Sequence, residues 1–144
     1  MKSRATAQWE GDLMTGKGKT SAASGTFRDA ALTWKARTEG AASMTTPEEL
    51  LAASHASCFS MALSHGLAQG GHPAKRLETS CTVEFGPKAG GGGFEVKASV
   101  LEVKGWVPGI DQAAFAQAAE AAKNGCPISS ALKIRMSVTA ALQA

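Results

Sequence analysis

Apolar and polar residues alternate strictly in three stretches of the chain. Leu77, Thr79, Cys81, Val83 and Phe85 interleave with Glu78, Ser80, Thr82 and Glu84. Phe94, Val96, Ala98 and Val100 interleave with Glu95, Lys97 and Ser99, and Ile134, Met136, Val138, Ala140 and Leu142 with Arg135, Ser137, Thr139 and Ala141. A period of two sends one set of side chains to a core and the other to water, so each stretch is predicted to be a strand. The glycine-rich segment 86–93 (GPKAGGGG) separates the first two and predicts a loop closing an antiparallel hairpin. The first forty residues (ATAQWEGD, GKGKTSAASGTF, ALTWKART) read as further short strands with glycine turns.

Two segments carry helix signals instead. Residues 111–124 (DQAAFAQAAEAAKN) are alanine-rich, with Asp111 as N-cap and Asn124-Gly125 as the C-terminal pair. The other begins at Thr46-Pro-Glu-Glu49, where Thr46 serves as N-cap, Pro47 as the first helical residue and Glu49 as the return partner of a capping box. The two glutamates also suit the positive end of the helix dipole.

Beyond Glu49 the chain is unusual. The 25 residues from Leu50 through Ala74 contain no Asp, Glu, Lys or Arg. A helix without a charged face has to be covered on nearly all sides. A membrane span is the competing reading, but Ser54, His55, Ser57, Ser60, Ser64, His65 and Gln69 make the segment too polar for one. A helix from residue 47 to about 69 is roughly 35 Å long, whereas a domain of this size has a radius of gyration of about 14–15 Å. One protomer is too small to sheathe it, which predicts an obligate dimer.

Composition places these elements in a single domain spanning residues 1–144, with no internal repeat and no linker between two compositions. The net charge of +3 comes from scattered pairs such as Lys17/Lys19 and Lys75/Arg76, with no basic run, so nucleic acid is not an expected partner. The opening residues MKSRATAQWEGD have no apolar core behind their basic residues and do not read as a secretory signal. The expected compartment is therefore a reducing cytoplasm, where cysteines are free, catalytic or redox-active.

Cys58, Cys81 and Cys126 are widely spaced, and with His55, His65 and His72 they form no ligand signature, so neither a metal nor an organic cofactor is expected. Cys58, in the middle of the uncharged helix, reads by pattern as a small core residue. Cys126 precedes Pro127, which can open a short helix whose dipole favours a thiolate, so by position it is the more readily ionised thiol. Cys81 shares the apolar strand face of Leu77, Val83 and Phe85 and reads as a core thiol. His55 lies one turn before Cys58 and reads as a buried, hydrogen-bonded histidine. His65 and His72 read as structural or surface residues.

The stretch from Thr46 to Leu63 (TPEELLAASHASCFSMAL) resembles the signature of the OsmC/Ohr family of thiol peroxidases. Trp9-Glu-Gly-Asp12, Gly16-Lys-Gly18, Lys35-Ala-Arg-Thr-Glu-Gly40, Val107-Pro-Gly-Ile-Asp111 and Asn124-Gly-Cys-Pro-Ile-Ser-Ser130 extend the resemblance over nearly the whole chain. The WEGD and GKG elements are more similar to the OsmC branch than to the Ohr branch. The resemblance implies an α+β fold of antiparallel sheets packed around long central buried helices in an intertwined homodimer. It also implies hydroperoxide reduction, with Cys58 as the attacking thiol, Cys126 as the resolving one, Glu48 as the active-site glutamate and Arg37 as the arginine assisting the thiolate. Arg28 and Arg4 are the other arginines that could fill that role. A lipoyl-bearing protein or similar dithiol is the implied reductant.

These roles agree with elementary physics. Desolvation in an uncharged helix raises a thiol pKa, a nearby guanidinium reverses that, and a glutamate orients the guanidinium. Ten residues of helix put Glu48 and Cys58 about 15 Å apart along the axis. Each site is therefore expected to take Cys58 and Cys126 from one chain and Glu48 with its arginine from the other. Leu50, Leu51, Phe59 and Met61 are the helix's candidates for an apolar substrate pocket. A thiol switch without turnover and a non-catalytic binder of apolar molecules are the rival functions.

Overall fold

The computed structural model describes residues 1–144. The chain divides into two compact units, Met1–Leu50 and Leu51–Ala144.

In the first unit β1 (Ala5–Glu10), β2 (Lys17–Ala22) and β3 (Ala30–Thr33) form an antiparallel meander in that order. The β1–β2 turn is built by Asp12, whose Oδ1 accepts from the backbone N–H of Met14 and Thr15 while Oδ2 accepts from the Thr15 hydroxyl. Gly16 closes it, because a Cβ there would lie 2.2 Å from the Asp12 carbonyl oxygen. All six residues of β1 are exposed.

The third predicted strand is cut short. After β3 the chain turns into α1 (Trp34–Glu39), since Thr33 acts as N-cap and its hydroxyl accepts from the Ala36 N–H at 3.0 Å. Arg37 consequently stands on a helix and not on a strand.

Helix α2 runs from Pro47 to Gln69. Thr46 caps it as expected, accepting from the Glu49 N–H at 3.0 Å, but Glu49 turns its carboxylate to the Thr45 hydroxyl, 2.6 Å away.

The second unit holds β4 (Arg76–Pro87), β5 (Phe94–Trp106), α3 (Gln112–Gly125), α4 (Pro127–Ala131) and β6 (Arg135–Leu142). β4 and β5 form the expected antiparallel hairpin, and β6 adds to β5 in parallel, a connection that the crossover through α3 and α4 makes possible. Gln112 ties the crossover to the sheet: its Nε2 donates to the Ala140 carbonyl at 2.8 Å and its Oε1 accepts from the Leu142 N–H at 2.7 Å. Asp111 caps α3 as predicted, accepting from Ala114 N–H at 2.8 Å. The helix continues through Gly125, with Cys126 as its C-cap.

The β5 alternation does not hold its phase. The β4–β5 register shifts between Glu84 and Phe85, where Lys97 has no partner, so that Ala98 and Ser99 are both buried and Leu101 and Val103 continue on the Ser99 side. Ser99, expected on the wet face, is fully buried.

The core of this unit joins three elements. Phe59, Leu63 and Leu67 form a stripe at four-residue spacing on α2 and meet Leu101 and Val103 of β5 and Phe115, Ala119 and Ala122 of α3. Each fully buried Phe or Leu contributes about 1.5–3 kcal/mol. Gly105 permits the closest approach, since a Cβ there would lie 2.3 Å from the Phe115 ring.

Beyond this stripe, His55 and Glu48 are the other buried residues of α2. Ala53, Ser54, Ser57, Met61, Ser64, His65 and Ala68 are exposed, and Met61 retains 72% of its accessible area. Ser57 and Ser60 donate back to the carbonyls of Ala53 and Ala56 one turn earlier, and the Ser60 hydroxyl also lies 2.7 Å from that of Thr79 on β4.

Candidate active site

The predicted chemical residues fall into two pairs, one in each unit. In Met1–Leu50, Arg37 of α1 and Glu48 in the first turn of α2 form a fork. The Arg37 Nε lies 3.2 and 3.1 Å from the two Glu48 carboxylate oxygens, and its second nitrogen lies 2.7 Å from Oε1. Glu48 is 7% exposed, and the guanidinium also lies 5.9 Å from the Trp34 ring centroid. Two-point binding of this kind fixes the plane of the guanidinium as well as its charge. Arg4 and Arg28 are exposed. Arg37 is the arginine that Glu48 holds.

In Leu51–Ala144, Cys58 and Cys126 are free thiols with their sulfurs 2.9 Å apart. That is inside van der Waals contact and about 0.9 Å longer than a disulfide bond. Cys58 is half-buried on α2 and Cys126 fully buried. The Cys126 backbone is pinned from both sides. Its N–H donates to the Ala122 carbonyl of α3, while its carbonyl accepts from the N–H and hydroxyl of Ser130 in α4. Cys126 thus ends one helix and caps the next, with Pro127 at the first position of α4.

The two thiols are shifted in opposite directions. Burial, then the hydrogen bond and charge of Cys126, push Cys58 up against the pull of the Ile128 N–H. Burial opposes ionisation of Cys126 too, but the hydrogen bond from Cys58, the N–H and hydroxyl of Ser129 and the N–H of Ile128 outweigh it and hold Cys126 below the ordinary thiol range. The two thiols titrate as a coupled pair. No cation acts on either sulfur within residues 51–144.

Behind the thiols lies a buried polar chain. His55 is fully buried, with Nδ1 2.7 Å from the Ser99 hydroxyl and Nε2 2.8 Å from that of Ser129. Ser99 in turn lies 3.2 Å from the Cys81 sulfur, which is 3.9 Å from His55 Nδ1. Burial lowers the His55 pKa and raises that of Cys81. His55 is thus a buried, hydrogen-bonded histidine and Cys81 a half-buried thiol packed against the core, as expected. Ser99 and Ser129 were not singled out by the sequence. Ser129 could have been found as the third residue after a Cys126 cap, whereas Ser99 is hidden by the shifted strand phase.

The proposed pocket residues separate. Phe59 is fully buried in the core, Leu50 and Leu51 are half-buried, and Met61 is exposed. His65 is exposed, and His72 lies 3.4 Å from the Pro108 carbonyl. No helix is long and apolar enough to cross a membrane.

Residues 38–141 match the family model of OsmC-like proteins. The chain is 38% identical over 132 residues to the peroxiredoxin OsmC of Escherichia coli K12, covering 92% of this chain and 90% of that protein. Shigella flexneri peroxiredoxin OsmC matches at the same identity and coverage. Among solved structures, the organic hydroperoxide resistance protein OhrB of Bacillus subtilis superposes with a TM-score of 0.72 at 25% identity, covering 97% of this chain and 98% of that one. An organic hydroperoxide resistance protein from Elizabethkingia anophelis superposes with a TM-score of 0.73 at 22% identity, covering 97% and 96%; this likeness concerns the fold. On the match over residues 38–141 and the identity to peroxiredoxin OsmC, the chain belongs to the OsmC-like protein family.

Proposed function

We propose that this chain reduces organic hydroperoxides through a sulfenic acid on Cys58 and a Cys58–Cys126 disulfide, and that a dithiol resets it. That it is a peroxidase enzyme follows from its kinship with peroxiredoxin OsmC and with OhrB. The observation that carries the proposed chemistry is the pair of free thiols 2.9 Å apart.

The Cys58 thiolate attacks the terminal peroxide oxygen. A sulfur–oxygen bond forms, the oxygen–oxygen bond breaks, and the departing alkoxide takes a proton to become an alcohol. Cys126 then attacks the Cys58 sulfenic acid, forming the disulfide and releasing the hydroxyl as water. A lipoyl-bearing protein or similar dithiol reduces the disulfide by exchange.

The Cys58 thiolate needs a cation, because burial pushes this thiol up. In our reading the cation is Arg37 of a second chain, aligned by Glu48 of that same second chain. Helix α2 is continuous from Pro47 to Gln69, so Glu48 and Cys58 of one chain are separated by about 15 Å of helix. The charge-free exposed face of α2 and the fully exposed β1 are surfaces that an intertwined homodimer covers. In that dimer residues 1–144 act as one domain. Three free cysteines suit a reducing compartment, the cytoplasm.

The test is steady-state peroxide consumption with dihydrolipoamide, comparing wild type, Cys58→Ser and Cys126→Ser on cumene hydroperoxide and hydrogen peroxide. Repeated turnover abolished by Cys58→Ser, and faster on the organic substrate, is the expected result. Consumption of a single equivalent under several reductants would make the protein a thiol switch. No consumption by the reduced protein would overturn the proposal.

A further inference from the structure

The Arg37–Glu48 ion pair alone does not fix the direction in which the guanidinium points. Glu48 is buried, but the Arg37 side chain keeps 30% of its accessible area, so water screens the pair in part. A guanidinium also offers a carboxylate two different edges, Nε with one terminal nitrogen or both terminal nitrogens together. The structure uses the first: Nε lies 3.2 and 3.1 Å from the two Glu48 oxygens, and Nη2 lies 2.7 Å from Oε1. In this side-on fork the remaining nitrogen, Nη1, is turned away from the carboxylate. An end-on fork would also give Glu48 two hydrogen bonds, but it would aim the cation elsewhere.

A second contact separates the two arrangements. Arg37 Cζ lies over the Trp34 ring, 5.9 Å from its centroid and within reach of a cation–π attraction. Trp34 and Arg37 are three residues apart on α1, the spacing at which helical side chains are neighbours. Both are half-buried. The backbone that carries them is anchored just ahead of Trp34, where the Thr33 hydroxyl accepts from the N–H of the buried Ala36 at 3.0 Å. Changing edges turns the guanidinium in its own plane, and a stem rooted on α1 accommodates that turn only by moving Cζ. The ring's attraction therefore favours the edge observed.

We propose that Trp34 is a positioning residue for Arg37: its ring face holds the guanidinium in the side-on fork with Glu48 and so sets the direction from which the arginine meets the peroxide-attacking thiolate. The inference rests on the peroxidase reading, in which Arg37 serves Cys58 of a second chain, and gives that site an additional residue. Trp34 acts through Arg37 and adds no step to the cycle.

The experiment follows the Arg37 Nε–H resonance, assigned by its loss in Arg37→Met, and measures its hydrogen exchange with water. Trp34→Leu is expected to speed this exchange about fivefold or more, and Trp34→Phe, which keeps a weaker ring face, by less. Protection of the Ala36 N–H reports whether α1 is still capped in each variant. Replacing tryptophan by fluorotryptophan keeps the ring's shape while draining its negative face, so it repeats the test without disturbing the fold and is expected to speed exchange as well. In a Cys126→Ser background, Trp34→Leu is expected to slow sulfenic acid formation about three- to tenfold. It is expected to add nothing once Arg37→Met is present, because the two changes remove one interaction. Nε–H exchange unmoved by fluorotryptophan, or a Trp34→Phe protein no better protected than a capped Trp34→Leu protein, overturns the proposal. Additive effects of Trp34→Leu and Arg37→Met on the rate overturn it too, since Trp34 would then act by another route. The exchange measurement involves no peroxide. Faster exchange in a protein whose Arg37→Met form attacks peroxide normally would overturn the arginine's part in the peroxidase reading while supporting the hold of Trp34 on the guanidinium.

Discussion

The sulfurs of Cys58 and Cys126 stand 2.9 Å apart, although 68 residues separate them in sequence. One is carried in the middle of α2, and the other is held where α3 ends and α4 begins. Closing the remaining distance to a disulfide requires a side-chain rotation and not a refolding. One equivalent of cumene hydroperoxide should therefore convert the reduced protein to a Cys58–Cys126 disulfide, leaving Cys81 free. Peptide mapping after alkylation checks this; a disulfide involving Cys81 would be the contrary outcome.

Removing the guanidinium should silence Cys58 selectively. Arg37→Met is expected to slow peroxide attack by about tenfold or more, since a neighbouring cation is worth one or more pKa units to a thiolate. Glu48→Gln should have a smaller effect, because the fork loses its aligning charge but keeps a hydrogen-bond acceptor. Both are read as the rate of sulfenic acid formation in a Cys126→Ser background.

A composite site makes a specific complementation prediction. If the proposed shared site is correct, Cys58→Ser chains are inactive and Arg37→Met chains slow when alone, but a mixed dimer would contain one site with both Cys58 and Arg37 intact. Unfolding the two together and refolding them should restore peroxide consumption. If mixing restores nothing while mixed dimers are present, the thiols and the arginine do not come from different chains.

Stability should fall with acid through His55. Its folded pKa lies below the ordinary 6.5 because burial disfavours the imidazolium. As pH falls through 6.5 the unfolded chain binds the proton that the folded one refuses, so unfolding becomes more favourable and the slope of stability against pH is positive. Urea unfolding at a series of pH values below neutrality should show this slope, and His55→Gln should remove its share.

Gly105→Ala tests the packing of α3 on β5. The new methyl would sit 2.3 Å from the Phe115 ring, so the helix has to move. A loss of about 1–3 kcal/mol in urea unfolding is expected, within the range for overpacked cores.

The periodicity of β4 and β6 needed only the sequence to be read, because one face of each strand is buried and the other solvated. The caps of α2 and α3 were equally legible, since Thr46 and Asp111 act on backbone N–H groups three residues away. Local chemistry has local signals.

The remaining features depend on residues distant in sequence or on competition between neighbours. The stretch after β3 alternates well enough to read as strand, yet the Thr33 hydroxyl bonds the Ala36 N–H and the segment closes into α1, placing Arg37 where Glu48 grips it. A single unpaired residue, Lys97, reverses the phase of β5 and brings Ser99 into the core beneath His55. The parallel docking of β6 follows from the crossover through α3 and α4. The sequence by itself determined the hairpin strands, β6 and the helices α2 and α3, and which cysteines invite attention, because spacing and capping are properties of neighbours. Only the tertiary structure decided that Cys58 meets Cys126 and that His55 links Ser99 to Ser129. Those contacts join side chains 44 to 74 residues apart, and their geometry is set by packing, which no local pattern records.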